Sequence, residues 1–440
     1  MKNIAFMLGV AATMLATAAD FNIADFGAKT DGSKCTEAFA RAMEACAKAG
    51  GGRVVVPAGK WFSGAIRFRS NCELHLAEGS EILFSQDPAD YLPAVHTSWE
   101  GMECWNYCPL VYAYECTNVA ITGKGLLAPR LGTWDKWRGG TPGRLEVARL
   151  QQLWCETGVP LAERDMTKIE GSCTRPHLIE FNRCGKVRLD GFSIKGSPFW
   201  TIHLLRSSDV EVRNLDVSAW GEDGIVLNNS DGIDFDQSQR VLVENCTFEQ
   251  GDDAIVVKSG RYPDLALPTV TSEDITVRNC TVNKGHVLLG LGSEVNGGIR
   301  NVRVENCRVD GDVWRVFYVK TSPRRGGFVR DITMDGVQAK KVTGDVVAVN
   351  TRNYYGMPSE EVCGPVFTLT TISNLVVRNV SCDWAKRAVT LNGDPDYPIR
   401  DVTLEKVRID TVFENFLKVE NVDGMALDVK ARKIHPDAHW

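Results

Sequence analysis

Between Phe248 and Gly260 the chain reads FEQGDDAIVVKSG, with two aspartates, Asp252 and Asp253, side by side ahead of an apolar run. At about 4 Å and an effective dielectric near 20, two such charges repel by about 4 kcal/mol. A third acid, Asp231 in NNSDGID, stands 21 positions before Asp252 (252 − 231). That is close to one coil of a repeat protein, whose periods run about 20–50 residues, so the three acids are expected to meet in space. Crowded carboxylates push at least one pKa up and leave a protonated acid beside ionised partners. Glycoside hydrolysis needs this pair of states, one group to protonate the leaving oxygen and another to activate water. Two other readings stand beside it. Aspartates also serve structurally in bends, where they bond to nearby backbone, and acid clusters bind Ca²⁺.

The segments that follow add cations. His286 falls in NKGHVLLGLGSE and Lys320 in VFYVKTSPRRGG, with Arg324 and Arg325 just beyond. Acids, a histidine and a lysine on consecutive coils suit a substrate that is itself anionic, because cations pair with carboxylates. The net charge of −6 makes that attraction local and argues against a nucleic-acid partner.

These residues sit among repeats. VEVRNLDV from Val210, VLVENCTF from Val241, ITVRNCTV from Ile275 and VRVENCRV from Val302 share one pattern, and weaker copies begin at Val119, Val187, Ile332, Leu375 and Val402. Apolar and polar residues alternate as in strands with one buried face. The fifth position is Asn214, Asn245, Asn279, Asn306 or Asn379, or else Gly191 or Gly336; Asn and Gly tolerate the left-handed backbone region. Lys406 breaks the rule in a terminal copy. Each copy therefore reads as strand, bend, strand. The predicted fold is all-β, a single-stranded right-handed parallel β-helix, in preference to a propeller or sandwich, which would need more hairpin turns. Thr36 to Ala49 has helical spacing and ends in Gly50-Gly51-Gly52, which predicts a helix capping the open end of the solenoid.

The first 19 residues read as a secretion signal. Lys2, an apolar stretch from Ile4 to Leu15 and Ala16-Thr17-Ala18 supply its three parts. Residues 20–440 are then one domain, exported and without a membrane anchor. Among 14 cysteines, Cys246, Cys280 and Cys307 recur at one repeat position and are expected in the core rather than in disulfides. The pairing of the others is not legible. Cys104-x-x-x-Cys108 lacks a second pair for zinc, and His435-x-x-x-His439 reads as polar surface. From about Pro129 to Pro176 no copy is found; this excursion, with Trp134, Trp137 and Trp154, is a candidate groove wall. Together with the loop after Arg261 it could close one end of the groove.

At these motifs the sequence resembles family 28 glycoside hydrolases, the polygalacturonase family, from DFGAKTDG at Asp25 through RGGFVRDI ending at Ile332. Asn229-Ser230-Asp231 matches the family's Asn-x-Asp, Gly251-Asp252-Asp253 its Asp-Asp, Gly285-His286 its Gly-His-Gly and Tyr318-Val319-Lys320 its Arg-x-Lys. SPFWTIH (Ser197 to His203) and GSE (Gly292 to Glu294) also look like bacterial members. The resemblance implies an inverting hydrolase of α-linked galacturonic acid in pectin that needs no metal or other cofactor; the signal makes it secreted, and a monomer is expected. It makes Asp252 the general acid, Asp231 and Asp253 the activators of water and His286 their support. Lys320 would bind the substrate carboxylate, with Asn229, Tyr318, Arg324 and Arg325 nearby. Val287 and Tyr318 depart from the family's glycine and arginine. Tyrosine offers one hydroxyl where arginine offers a bidentate fork, so Arg315, Arg324 or Arg325 is expected to compensate. The departures make a rhamnogalacturonan hydrolase the main alternative; a Ca²⁺-dependent lyase and a non-catalytic pectin-binding solenoid are lesser ones.

Overall fold

The computed structural model describes residues 19–139, 141–352 and 369–435. The expected signal, residues 1–19, lies outside them apart from Ala19, as does His439. The alternating segments fold as strands whose inward residues stack coil upon coil, and 28 strands join in one continuous sheet with only parallel pairings between its coils. The protein is a right-handed parallel β-helix. No helix among the described residues is long and apolar enough to cross a membrane.

Two strand positions set the inner wall behind the site. Ile202, Ile233, Ile255, Leu289, Phe317 and Val347 form one stack, and Leu204, Phe235, Val257, Leu291, Val319 and Val349 form the other. All are buried in the main core. The residue between them in each strand must point outward, because successive side chains alternate. This outward row runs Glu180, His203, Asp234, Val256, Gly290, Tyr318, Ala348.

On another face of the coils the bends are uniform. Asn214, Asn245, Asn279, Asn306 and Asn379 all hold φ between 52° and 57°. Lys406, the exception in sequence, keeps the same conformation at φ 52°. A second left-handed row stands five residues earlier, at Asp209, Arg240, Asp274, Asn301, Asp331, Asn374 and Asp401. The sequence pattern misses it because Arg and Asp dilute the Asn signal. Cys246, Cys280 and Cys307 are buried in the core as expected. The thirteen described cysteines are all unpaired.

Helix α1, Thr36–Lys48, packs Phe39, Ala42, Met43 and Cys46 onto the first coils, as the cap was expected to do. The excursion is helical, with α2 at Gly132–Lys136 and α3 at Pro142–Thr157. Thr141 caps α3 by accepting a bond from the Arg144 N–H, and Gly158 ends it at φ 66°. Trp134 is fully buried against Tyr91, so it is packing rather than groove surface. An unexpected antiparallel hairpin, Val95–Trp99 with Met102–Asn106, projects beside α3. Its turn, Glu100-Gly101, has both residues at positive φ (46° and 82°), the two-residue geometry that suits strand twist.

Candidate active site

The acids stand where the chain enters the outward row. In register, Ile233 pairs with Ile255, an offset of 22, so Asp231 stacks on Asp253; the Gly232 N–H donates to the Asp253 carbonyl at 2.9 Å. His286 stacks on Asp252. Its backbone N–H donates to the Asp252 carbonyl at 2.7 Å, and its Nδ1 lies 2.9 Å from Asp252 Oδ1. Lys320 Nζ donates to Asp253 Oδ2 at 2.7 Å. The expected acids, histidine and lysine thus converge. They line one cavity of about 510 Å³, together with Asn229 and Arg325.

Two glycines make room for this. Gly251 keeps a negative φ; it is required because a Cβ there would lie 2.4 Å from Ser230 Oγ and 2.6 Å from the Leu227 carbonyl. Close approach of the preceding coil, and not a special bend, sets that position. At Gly290 a Cβ would stand 3.0 Å from Asp253 Oδ2. The missing side chain leaves space in the outward row for the Asp253 carboxylate.

Burial divides the acids electrically. Asp231 is 4% exposed, with Oδ1 unpartnered. Desolvation first, then Asp234 and Asp252, hold its carboxyl well above the ordinary range. For Asp252, burial acts in the same direction, but the hydrogen bond and charge of His286 outweigh it and bring the carboxyl below its usual value. His286 is raised in return, chiefly by that bond. These directions favour a proton on Asp231 and on the imidazole next to Asp252 over one resting on Asp252 itself.

A buried layer beneath the cavity was not foreseen. Asp234 has no hydrogen-bond partner on either carboxylate oxygen; burial, opposed by Lys258 and His203, pushes it to about 7. Lys258 Nζ lies 3.2 Å from Glu294 and 3.5 Å from Asp234, and 4.3 Å above the Trp200 ring. His203 stands between Glu180 and Asp236. Desolvation opposes its charge, but these two carboxylates overcome it and raise the imidazole to about 9. Of these residues, His203 and Glu294 fall in SPFWTIH and GSE, the stretches that carried resemblance without an assigned role.

The two departures form one packing unit. Tyr318 is 2% exposed and clusters with Val287 and Ala348 under Trp314. It does not line the cavity, which corrects its expected place as a substrate contact; Arg324, also buried, does not line it either. Arg315 does not replace the missing arginine in the cavity. Its guanidinium lies 4.0 Å over Tyr318 and 3.4 Å over Trp314, and its Nε donates to Asp345 at 3.0 Å. Arg325 is buried at the wall, donating to the Arg261 carbonyl.

Three insertions close one side of the cavity. Glu100 at the hairpin turn accepts from Arg261 at 2.8 Å and from Arg144 of α3 at 3.2 Å. Gln151 of α3 donates to the Trp99 carbonyl at 2.6 Å. Glu100, Ala148 and Arg261 all line the cavity, so the excursion does wall the groove, though not with its tryptophans. Two groups, Asp252–Asp253–His286 and His177–Glu180–His203, bring three metal-type ligand atoms within 4.8 Å of one another. In both, hydrogen bonds within the protein already engage carboxylate oxygens.

The model of glycosyl hydrolases family 28 matches residues 160–431. The hyperthermoactive exopolygalacturonase of Thermotoga maritima superposes with a TM-score of 0.82 at 34% identity, over 94% of this chain and 92% of that one. A probable polygalacturonase of Vitis vinifera is 26% identical over 88% of this chain and 74% of its own length. The exo-poly-alpha-D-galacturonosidase of Dickeya chrysanthemi is 25% identical over 77% of this chain and 58% of its own. A solenoid that gathers acids, a histidine and a lysine in a walled cavity is thus a glycoside-cleaving enzyme. The chain belongs to glycosyl hydrolase family 28.

Proposed function

We propose that this enzyme hydrolyses α-linked galacturonic acid in pectin, from chain ends and with inversion. The observation that carries the reading is the convergence of Asp231, Asp252 and Asp253 with Lys320 and His286 in a cavity walled on one side. Asp252 protonates the leaving oxygen, and His286, which shares a proton with it across 2.9 Å, supplies that proton. Asp253, neutralised by Lys320, takes the proton of the attacking water. Asp231, held in its neutral form, orients that water by donating to it. Lys320 therefore acts on Asp253 more than on a substrate carboxylate. The closed side supports exo attack, because a polymer running through the cavity would meet Glu100 and α3.

Purified mature protein incubated with polygalacturonate and, separately, rhamnogalacturonan, with chelator present, tests the reading. Saturated galacturonate released as a short product of one size, with β-anomer seen first by proton NMR, is expected. Products from rhamnogalacturonan alone would move the specificity there, and a chelator-sensitive product absorbing in the ultraviolet would replace hydrolysis by elimination. A rapid viscosity drop ahead of reducing-end release would overturn exo action. We further infer export in one 20–440 domain; N-terminal sequencing of the secreted form should begin at Ala19 or Asp20.

A further inference from the structure

Across the ridge made by His286 and Trp314 lies a second cavity of about 530 Å³, which shares those two residues with the first. Its rim carries Lys284, whose Nζ rests 4.4 Å over the Trp220 ring. Among the described residues no carboxylate pairs with Lys284. Two acids flank it in the coil register: Glu249 on the preceding coil comes no nearer than 4 Å to its ammonium, and Asp312 on the following coil is taken by Lys341 at 2.9 Å. At the cavity's edge Gln250, 1% exposed, donates through Nε2 to the Val217 carbonyl at 2.7 Å and leaves Oε1 without a partner. Trp314 is held rigidly between the two cavities. Arg315 stacks on it at 3.4 Å, and Asp345, which accepts from Arg315, is itself held by Arg387 and Thr390.

We propose that this second cavity is a subsite for an acidic sugar on the leaving-group side of the scissile bond, with Trp314 as its stacking platform and Lys284 as the cation for its carboxylate. The inference rests on the function proposed above. Asp252 protonates the leaving oxygen, so the departing sugar lies on the Asp252 side; Gly251 and His286, which flank Asp252 in sequence and in space, line this second cavity. An aromatic face beside an unpaired ammonium is the chemistry of a uronic acid ring. An aromatic face takes the ring's apolar side, and a charge-assisted bond takes its carboxylate. The site also answers the loss of the family's arginine at Tyr318. A cation absent at Tyr318 is thereby available from Lys284, two residues before His286 on the same strand.

The test uses full-length protein carrying Asp252→Asn, which binds without turnover, titrated calorimetrically with trigalacturonate, its methyl ester and monomeric galacturonate. Adding Lys284→Gln should weaken trigalacturonate binding about tenfold and flatten its salt dependence. The methyl ester and the monomer, which fits the first cavity, should change less than twofold, and Lys284→Arg should restore binding. Trp314→Ala should weaken acid and ester alike, with folding checked by thermal melting. Equal loss for trigalacturonate and its ester in Lys284→Gln, or no loss for either, overturns the subsite while leaving galacturonate as the substrate. No binding of any galacturonate by the Asp252→Asn protein overturns both.

Discussion

The bend row and the cleft row are built on the same coils and obey opposite rules. At the bends the same conformation recurs, and the side chains that recur are those that tolerate it. Asn214 donates to Asp190 at 2.9 Å and Asn245 donates to Asn214 at 3.4 Å, one coil holding the next. In the outward row, by contrast, no two successive coils carry the same residue from Glu180 to Ala348. Repetition is the signature of a position whose task is to propagate the solenoid, and its loss marks positions where each coil does something different. The energetic styles differ too. The bends are exposed and locally satisfied, whereas the cleft row buries Asp234 without a hydrogen-bond partner and Asp231 with one oxygen unpartnered. Such groups cost stability unless something else requires them.

Substitutions should therefore separate the rows. Asp252→Asn is expected to lower kcat about 10³-fold, in the middle of what acid catalysis supplies, with an unchanged melting temperature; steady-state kinetics and calorimetric melting read both. A smaller effect is expected from pH. His286 is raised above its ordinary value by Asp252, so it keeps its proton to higher pH than a free imidazole and loses it as pH rises past that raised value. Activity should fall on that alkaline limb, and His286→Gln should lose the limb along with about 10–100-fold in kcat. At the bends, Asn214→Ala should cost about 1–2 kcal/mol in chemical denaturation, because alanine fits the left-handed region poorly, and leave kcat and KM alone. Asn214→Gly should recover most of that loss.

The smallest expected effect sharpens the contrast further. Asp234, raised to about 7, keeps in the folded state a proton that the unfolded chain gives up near pH 4. The native state then binds more protons between those values, so its contribution to stability falls as pH rises through that window. Asp234→Asn should raise the melting temperature by a few degrees at pH 8 and by little at pH 4. An equal gain at both would mean that packing, not charge, sets the cost.

The sequence was legible where it repeats. The Asn row, the cysteine stack and the helix over residues 36–48 all follow from one-residue patterns whose physical cause is local. The acids and His286 were legible because adjacent aspartates at the lip of an apolar run are hard to explain otherwise. What escaped was set by three-dimensional contact. The second left-handed row escaped because Asp209 and Arg240 do not advertise a positive φ. The Glu100-Gly101 hairpin escaped because its turn is not of the Asn-Gly type. The roles of Lys258, Glu294 and Gly290 depend on which coil lies next to which, and the successive steps of 22, 34 and 28 residues along Ile233, Ile255, Leu289 and Phe317 cannot be read from spacing alone. Tyr318 was misplaced for the same reason: its burial depends on Val287, 31 residues earlier (318 − 287), filling the space beside it.

The unpaired cysteines have a practical consequence. Cys246, Cys280 and Cys307 are no more than 2% exposed and lie on three successive coils, with Cys184 before them and Cys382 after. A thiol reagent can reach each one only when its own coil opens. The rates at which these sulfurs are labelled would record, coil by coil, where the solenoid begins to unwind, a set of clocks already installed along its axis.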